Sequence, residues 1–193
     1  MEARRFIASV FITYLLLIQS VRAQGSIENP DFENDTGWSF YDNGEYWTGE
    51  YSTGWASHGV QSYEIHIPPA ASGCDNYPGK NTYGEVFQDV DLSGVKRIMF
   101  DLRTFGSWNI PGLGPDYYHS IGLWVDGTQT YTREREGGEF DNQLSSITGF
   151  SGTHRLAFRM QGYANFCSTS DRGLYVDNVR FVTSIVYLPL NLK

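Results

Sequence analysis

Ser120–Arg133 reads SIGLWVDGTQTYTR. Ile121, Leu123 and Val125 alternate with Gly122 and Trp124, the period-two pattern of a strand with one face buried. Asp126-Gly127 follows, a dipeptide suited to a two-residue hairpin whose central residues both need positive φ, and Thr128–Arg133 reads as the return strand. The same pattern recurs on both sides. Ser62–Ile67 (SYEIHI) alternates and stops at Pro68-Pro69, and Gly84–Val90 (GEVFQDV) runs into a turn at Leu92-Ser93-Gly94. Lys96–Thr104 (KRIMFDLRT) puts Ile98, Phe100 and Leu102 on one face, and Thr153–Gln161 (THRLAFRMQ) does so with Leu156, Phe158 and Met160. Beyond Gln24, no window of about 12 residues free of Gly and Pro has helical apolar spacing. Short alternating runs punctuated by Gly, Asp, Asn and Ser imply an all-β chain, an antiparallel sandwich.

The last run, Leu174–Val182 (LYVDNVRFV), places Tyr175, Asp177, Val179 and Phe181 on one face. Asp177 stands there where an apolar residue is expected. A buried carboxylate without a partner costs several kcal/mol, so a cation or several donors should lie beside it.

Met1–Arg5 carries Arg4 and Arg5, Phe6–Ile18 is apolar, and Val21 and Ala23 are small. This reads as a signal peptide over residues 1–23, cleaved before Gln24. The apolar run is short of the roughly 20 residues of a membrane span, which leaves an uncleaved anchor as the alternative. Nothing else in the chain reads as a transmembrane segment, so the expected location is secreted or on the outer cell surface. The expected domain spans 24–183, and the apolar stretch 184–193 is either a strand extension or the stub of a surface attachment. The formal charge of the 193-residue chain is −8, and it becomes −10 without residues 1–23, which hold three Arg and one Glu. A chain so acidic repels phosphate backbones, which excludes nucleic acid as a partner but suits calcium and neutral sugars. Cys74 and Cys167 are an even pair in an exported protein and read as a disulfide, with two free buried thiols as the alternative. Asn34-Asp35-Thr36 is a glycosylation sequon centred on Asn34.

Two long segments resist assignment as strands, Ala70–Tyr83 and Phe105–His119. Loops of that length in a compact domain are commonly functional or disordered. Two aromatic clusters stand among polar neighbours: Tyr41, Tyr46, Trp47, Tyr51 and Trp55, and then Trp108, Tyr117 and Tyr118. Exposed rings accept the apolar C–H faces of sugars, so Tyr46, Trp47, Tyr51, Trp55, Trp108, Tyr117 and Tyr118 are candidate ligand-binding residues, with core packing as the alternative for each.

The order of motifs carries a resemblance. Asn29-Pro30-Asp31-Phe32-Glu33 and Trp38 open the series, followed by Gly59–Tyr63, Val86–Ser93 and Arg97–Asp101. Val125-Asp126-Gly127, Gly152–Leu156 and Val176-Asp177-Asn178-Val179 complete it. The series resembles the galactose-binding-like jelly-roll domains, and among them the cellulose- and xylan-type carbohydrate-binding modules. The resemblance implies a two-sheet antiparallel jelly-roll β-sandwich that binds a polysaccharide or cell-surface glycan. It also implies a structural calcium ion (Ca2+) joining Glu33, with Asp31, to Asp177. Calcium takes six to eight oxygens, which carboxylates and loop carbonyls supply; backbone amides holding Asp177 are the alternative.

No zinc-type His-Glu-x-x-His motif, nucleophile elbow or phosphate loop is present. Glu134 and Glu136, two apart in a strand, would point the same way as a glycosidase pair does, but Arg133 and Arg135 alternate with them as on an ordinary charged edge. The expectation is therefore a secreted, non-catalytic carbohydrate-binding protein. A structural or adhesive protein of an envelope or extracellular assembly is the alternative, and a polysaccharide hydrolase or lyase the lesser one.

Overall fold

A computed structural model describes residues 25–44, 47–67, 82–106, 118–134, 138–163 and 172–182. They form ten strands and no helix. The strands are β1 (Ser39–Asp42), β2 (Thr48–Ser52), β3 (Ser62–Ile67), β4 (Tyr83–Asp91) and β5 (Arg97–Gly106). Then follow β6 (Tyr118–Val125), β7 (Thr128–Glu134), β8 (Gly138–Ser146), β9 (Thr153–Tyr163) and β10 (Arg172–Val182). One sheet has the order β1-β4-β9-β6-β7 and the other β2-β3-β10-β5-β8, all pairs antiparallel. The fold is the two-sheet jelly-roll sandwich expected from the sequence.

The alternating residues meet between the sheets. Ile121, Leu123, Val125, Leu156, Phe158 and Met160 come from one side, and Ile65, Ile98, Phe100, Leu102, Leu174 and Val176 from the other; each is at most 2% exposed. Removing one such aromatic side chain, Phe100 or Phe158, costs about 3–5 kcal/mol. The hairpin forms as read: Asp126 and Gly127 have φ of 48° and 77°, and β6 pairs directly with β7. The N-terminal segment closes one flank. Phe32 is fully buried and stacks on Trp38 at 4.9 Å, and Gln88 fastens the segment by bonding Glu28 N, Glu28 O and Gly37 O.

The final strand departs from its reading. Leu174, Val176 and Val179 are the buried core residues, while Tyr175 and Asp177 lie on the other face. The pairing of β10 with β5 slips between Asp177 and Arg180, where Asn178 takes a left-handed φ of 53°. A bulge inserts one residue and inverts the alternation beyond it, so Val179 turns inward without sharing a face with Asp177. A facing irregularity lies between Phe100 and Leu102 in the pairing of β5 with β8, beside Asn142 at φ 52°.

Within each sheet neighbouring strands alternate in direction. The odd-numbered strands run toward one end of the sandwich and the even-numbered ones away from it. The described loops 53–61, 92–96 and 147–152 join strands at the opposite end.

Candidate functional site

The outer face of the β2-β3-β10-β5-β8 sheet gathers the most chemistry. Pairing brings Glu50 opposite Glu64, Glu64 opposite Tyr175, and Tyr175 opposite Arg103, so one row of side chains crosses four strands. The next row holds Thr48, His66, Gly173 and Phe105. Gly173 matters because it has no side chain: the Phe105 ring lies directly over it, where a Cβ would come within 2.2 Å of the ring. Phe105 packs on Tyr175 with centroids 4.8 Å apart, and Tyr175 on Trp55 at 6.0 Å. Three half-buried rings therefore run end to end across the face.

Trp55 is not on a strand. The loop between β2 and β3 folds back over the face, and Gly54 passes so close to Tyr175 that a Cβ there would sit 2.6 Å from the phenol oxygen. Ser62 Oγ donates to the Trp55 carbonyl at 2.5 Å, which ties the loop to β3.

Beside the rings, Glu50, Glu64 and His66 bring ligand-type atoms within 4.8 Å of one another. His66 Nδ1 stands 3.3 Å from Glu64 Oε1. Burial pushes the Glu64 carboxyl up, but hydrogen bonds from His66, Ser52 and Tyr175 outweigh it and hold the group below the usual value. Glu64 is thus an anion at neutral pH. The triad is able to hold a metal ion, although its imidazole nitrogen is foreign to calcium, which takes oxygen ligands.

A second cluster underlies the Trp55 loop. Asp177 is fully buried, and its Oδ2 accepts from Ser57 N at 2.7 Å and His58 N at 2.9 Å, while Oδ1 accepts from Asn178 N at 2.7 Å. Asp101, opposite it on β5, accepts from Ser57 Oγ at 2.6 Å, Asn178 Nδ2 at 2.8 Å and Asn142 N at 2.5 Å. Burial pushes the Asp177 carboxyl up, against the pull of the amides that bond it. Glu33, exposed, accepts from Val60 N at 2.8 Å and Gln61 N at 3.0 Å; those amides hold it below the usual value.

The calcium implied by the resemblance is tested by these bonds. The N-terminal motif does lie beside the C-terminal one, since Val179 N donates to the Pro30 carbonyl at 2.9 Å. Yet Asp31, Glu33 and Asp177 do not converge: among the described residues, Glu50, Glu64 and His66 are the group of three whose ligand atoms do. Asp31 instead faces His58 at 3.8 Å. Four amides of the 57–61 loop point at the carboxylates where a cation would need carbonyl oxygens. The surroundings of Asp177 do not fit calcium, and donors occupy it.

The other candidate residues divide. Trp55 stands in the ring strip. Trp47 is a core residue, 5% exposed, and packs against Gly84, where a Cβ would lie 2.7 Å from it. Tyr51 turns toward the core, edge-on to Tyr63 at 5.0 Å, its hydroxyl donating to the Thr36 carbonyl at 2.7 Å. Neighbours in the sequence thus point to opposite sides of one sheet. Tyr118 begins β6. Tyr46, Trp108, Tyr117, Cys74, Cys167 and Glu136 lie outside the described residues. Asn34 is exposed, in a loop held by Asn29 Nδ2 bonds to the carbonyls of Asn34 and Thr36. Phe105, Tyr175, Glu50, Glu64 and His66 were not singled out from the sequence. The alternation of Ser62–Ile67 does set Glu64 and His66 opposite the apolar face, which was the available signal.

The outer face of the other sheet is closed on itself. Glu85, 2% exposed, accepts from Arg159 Nε at 2.9 Å and Nη2 at 2.7 Å, with Arg155 Nη1 at 3.5 Å. Arg155 lies over the Phe87 ring at 3.3 Å, and Arg159 over Tyr83 at 3.7 Å.

No protein-family profile matches the chain. No curated protein matches it either. Solved structures do. A family 61 carbohydrate-binding module in complex with β-1,4-galactotriose is 15% identical, with a TM-score of 0.48 over 83% of this chain and 99% of that one. The K1 cleaved adhesin domain of Lys-gingipain from Porphyromonas gingivalis W83 is 13% identical, with a TM-score of 0.49 over 83% and 99%. The family 11 carbohydrate-binding module from Clostridium thermocellum in complex with a β-1,3-1,4-mixed-linked tetrasaccharide is 13% identical, with a TM-score of 0.42 over 84% and 98%. The chain is similar in fold to these carbohydrate-binding modules and to this adhesin domain.

Proposed function

We propose that this chain is an exported, non-catalytic glycan-binding protein, freed of residues 1–23, that takes a neutral polysaccharide across the outer face of the β2-β3-β10-β5-β8 sheet. The observation that carries the reading is the strip Phe105, Tyr175 and Trp55, bordered by Glu50, Glu64 and His66 on the same face. Sugar rings lay their C–H faces on aromatic rings, and convergent polar groups fix their hydroxyls. The carboxylates and the overall negative charge oppose uronic acids and favour neutral residues.

Affinity electrophoresis through gels of soluble neutral polysaccharides tests the proposal. Wild type is retarded, Tyr175→Ala and Trp55→Ala lose about tenfold in affinity, and no reducing ends appear. A tenfold loss corresponds to about 1.4 kcal/mol of binding free energy. Free migration of the wild type through every glycan gel would sink the reading and leave the adhesive role.

A further inference from the structure

The loop that carries Trp55 is bonded at both of its flanks. On one side Ser57 N, His58 N and the Ser57 hydroxyl reach into the Asp177–Asp101 pair. On the other side Val60 N and Gln61 N share Glu33 Oε1. Gly59 lies between them with a φ of 73°, and a Cβ there would fall 2.1 Å from Glu33 Oε1. Only a residue without a side chain lets the carboxylate sit against the loop. Successive amides pointing to one side form an anion-binding nest. Here the acceptors are the chain's own carboxyl groups, one from the N-terminal segment and two from β10 and β5, beside the bulges of β10 and β8.

We propose that Glu33, Asp177 and Asp101 form a cation-free latch that locks the 54–61 loop over the sheet and sets the position of Trp55. The three carboxylates are positioning residues, and they act on ligand only through the loop. This rests on reading the ring strip as the glycan site, but the latch itself is measurable without any glycan. Three consequences separate it from a calcium-stapled loop. The amides of Ser57, His58, Val60 and Gln61 are protected from exchange in a chelator. Added calcium changes neither that protection nor the melting temperature. Loss of Glu33 frees Val60 and Gln61 while Ser57 and His58 stay protected, since a different carboxylate holds them.

The experiment is amide hydrogen exchange by NMR on the full mature chain, in EDTA and in millimolar calcium chloride, for wild type and Glu33→Ala. Glu33 is exposed, so its removal leaves the core intact. Exchange at Val60 and Gln61 is expected to quicken by at least about fivefold in the variant, with no dependence on calcium in either protein. Calorimetric titration of wild type with calcium chloride should give no saturable heat. Protection that appears only with calcium, or a stoichiometric calcium heat that raises the melting temperature, would overturn the proposal. So would Val60 and Gln61 amides that exchange at the wild-type rate in Glu33→Ala. Where a retained glycan is found, its Kd should be the same in EDTA and weaken severalfold in Glu33→Ala. If no glycan is retained, exchange and calorimetry still decide the latch.

Discussion

Gly173→Ala is the sharpest single perturbation of this face. In an ordinary strand the change would stabilise by about 0.5–1 kcal/mol, because alanine has less chain entropy to lose on folding. Here the new Cβ meets Phe105 ring atoms at 2.2 and 2.4 Å and the Ile65 carbonyl oxygen at 2.8 Å. The ring can swing away, but the carbonyl belongs to the β3–β10 pairing and cannot. Overpacking of this kind costs about 1–3 kcal/mol, and the displaced ring forfeits about 0.5–1.5 kcal/mol of contact with Tyr175. The net loss is about 1–3 kcal/mol, read from the urea midpoint at unchanged slope. Glycan affinity should fall with it, because the ring strip loses its Phe105 end. Phe105→Ala in the same background removes the ring clash, so a double-mutant cycle should show coupling of about 1 kcal/mol. Equal urea midpoints for Gly173→Ala and wild type would refute the placement of Phe105 over the glycine.

Three further outcomes are expected. Arg159→Met strands the buried Glu85 carboxylate with only the 3.5 Å approach of Arg155, and should cost about 3 kcal/mol, or about 6–12 °C in Tm, whereas Glu85→Gln/Arg159→Met recovers much of it. His154 Nδ1 lies 2.6 Å from Asp126 Oδ2; that bond raises the imidazole above its usual value and lowers the carboxyl below its own. Stability from the His154 shift is present below about pH 6.5 and lost as pH rises through the higher folded value. Stability from the Asp126 shift is present above about pH 3.8 and lost as pH falls through the lower folded one. NMR titration should show His154 returning toward 6.5 in Asp126→Asn, and an unmoved midpoint would contradict the pairing. Cys74 lies between β3 and β4, and Cys167 between β9 and β10; β3 pairs with β10 and β4 with β9. The strand ends that flank Cys74 and Cys167 in the sequence belong to paired strands, and we expect a disulfide contributing about 4 kcal/mol. Non-reducing peptide mapping checks it, and native alkylation of both thiols would speak against it.

The central strands were legible because each buries one face and so alternates. Strands β1, β2 and β8 were not, and all three are sheet edges. SFYD, TGEYS and GEFDNQLSS lack a sustained apolar face because a neighbour covers them on one side only. Asp177 was rightly marked as needing partners, but its face was misread. Alternation cannot reveal a bulge whose cause, the Asn178 turn, is one residue long. The ring strip escaped for a different reason. Phe105 and Tyr175 are 70 positions apart and meet only through the pairing of β5 with β10, whereas Trp47 and Trp55, close in sequence, end on opposite sides of the sheet.

The two broad faces of the sandwich are unequal in what they can tolerate. On the β1-β4-β9-β6-β7 side, guanidinium groups, rings and a sunken carboxylate satisfy one another, so most changes there subtract from folding. The ring strip on the opposite side takes no part in the core: Phe105 and Tyr175 stand on β5 and β10, and Trp55 arrives on a loop anchored elsewhere. Apart from Gly173 and Gly54, whose missing side chains the rings require, residues around the strip are therefore free to vary in ligand preference while the scaffold stays as it is, which makes this face the natural place to retune recognition.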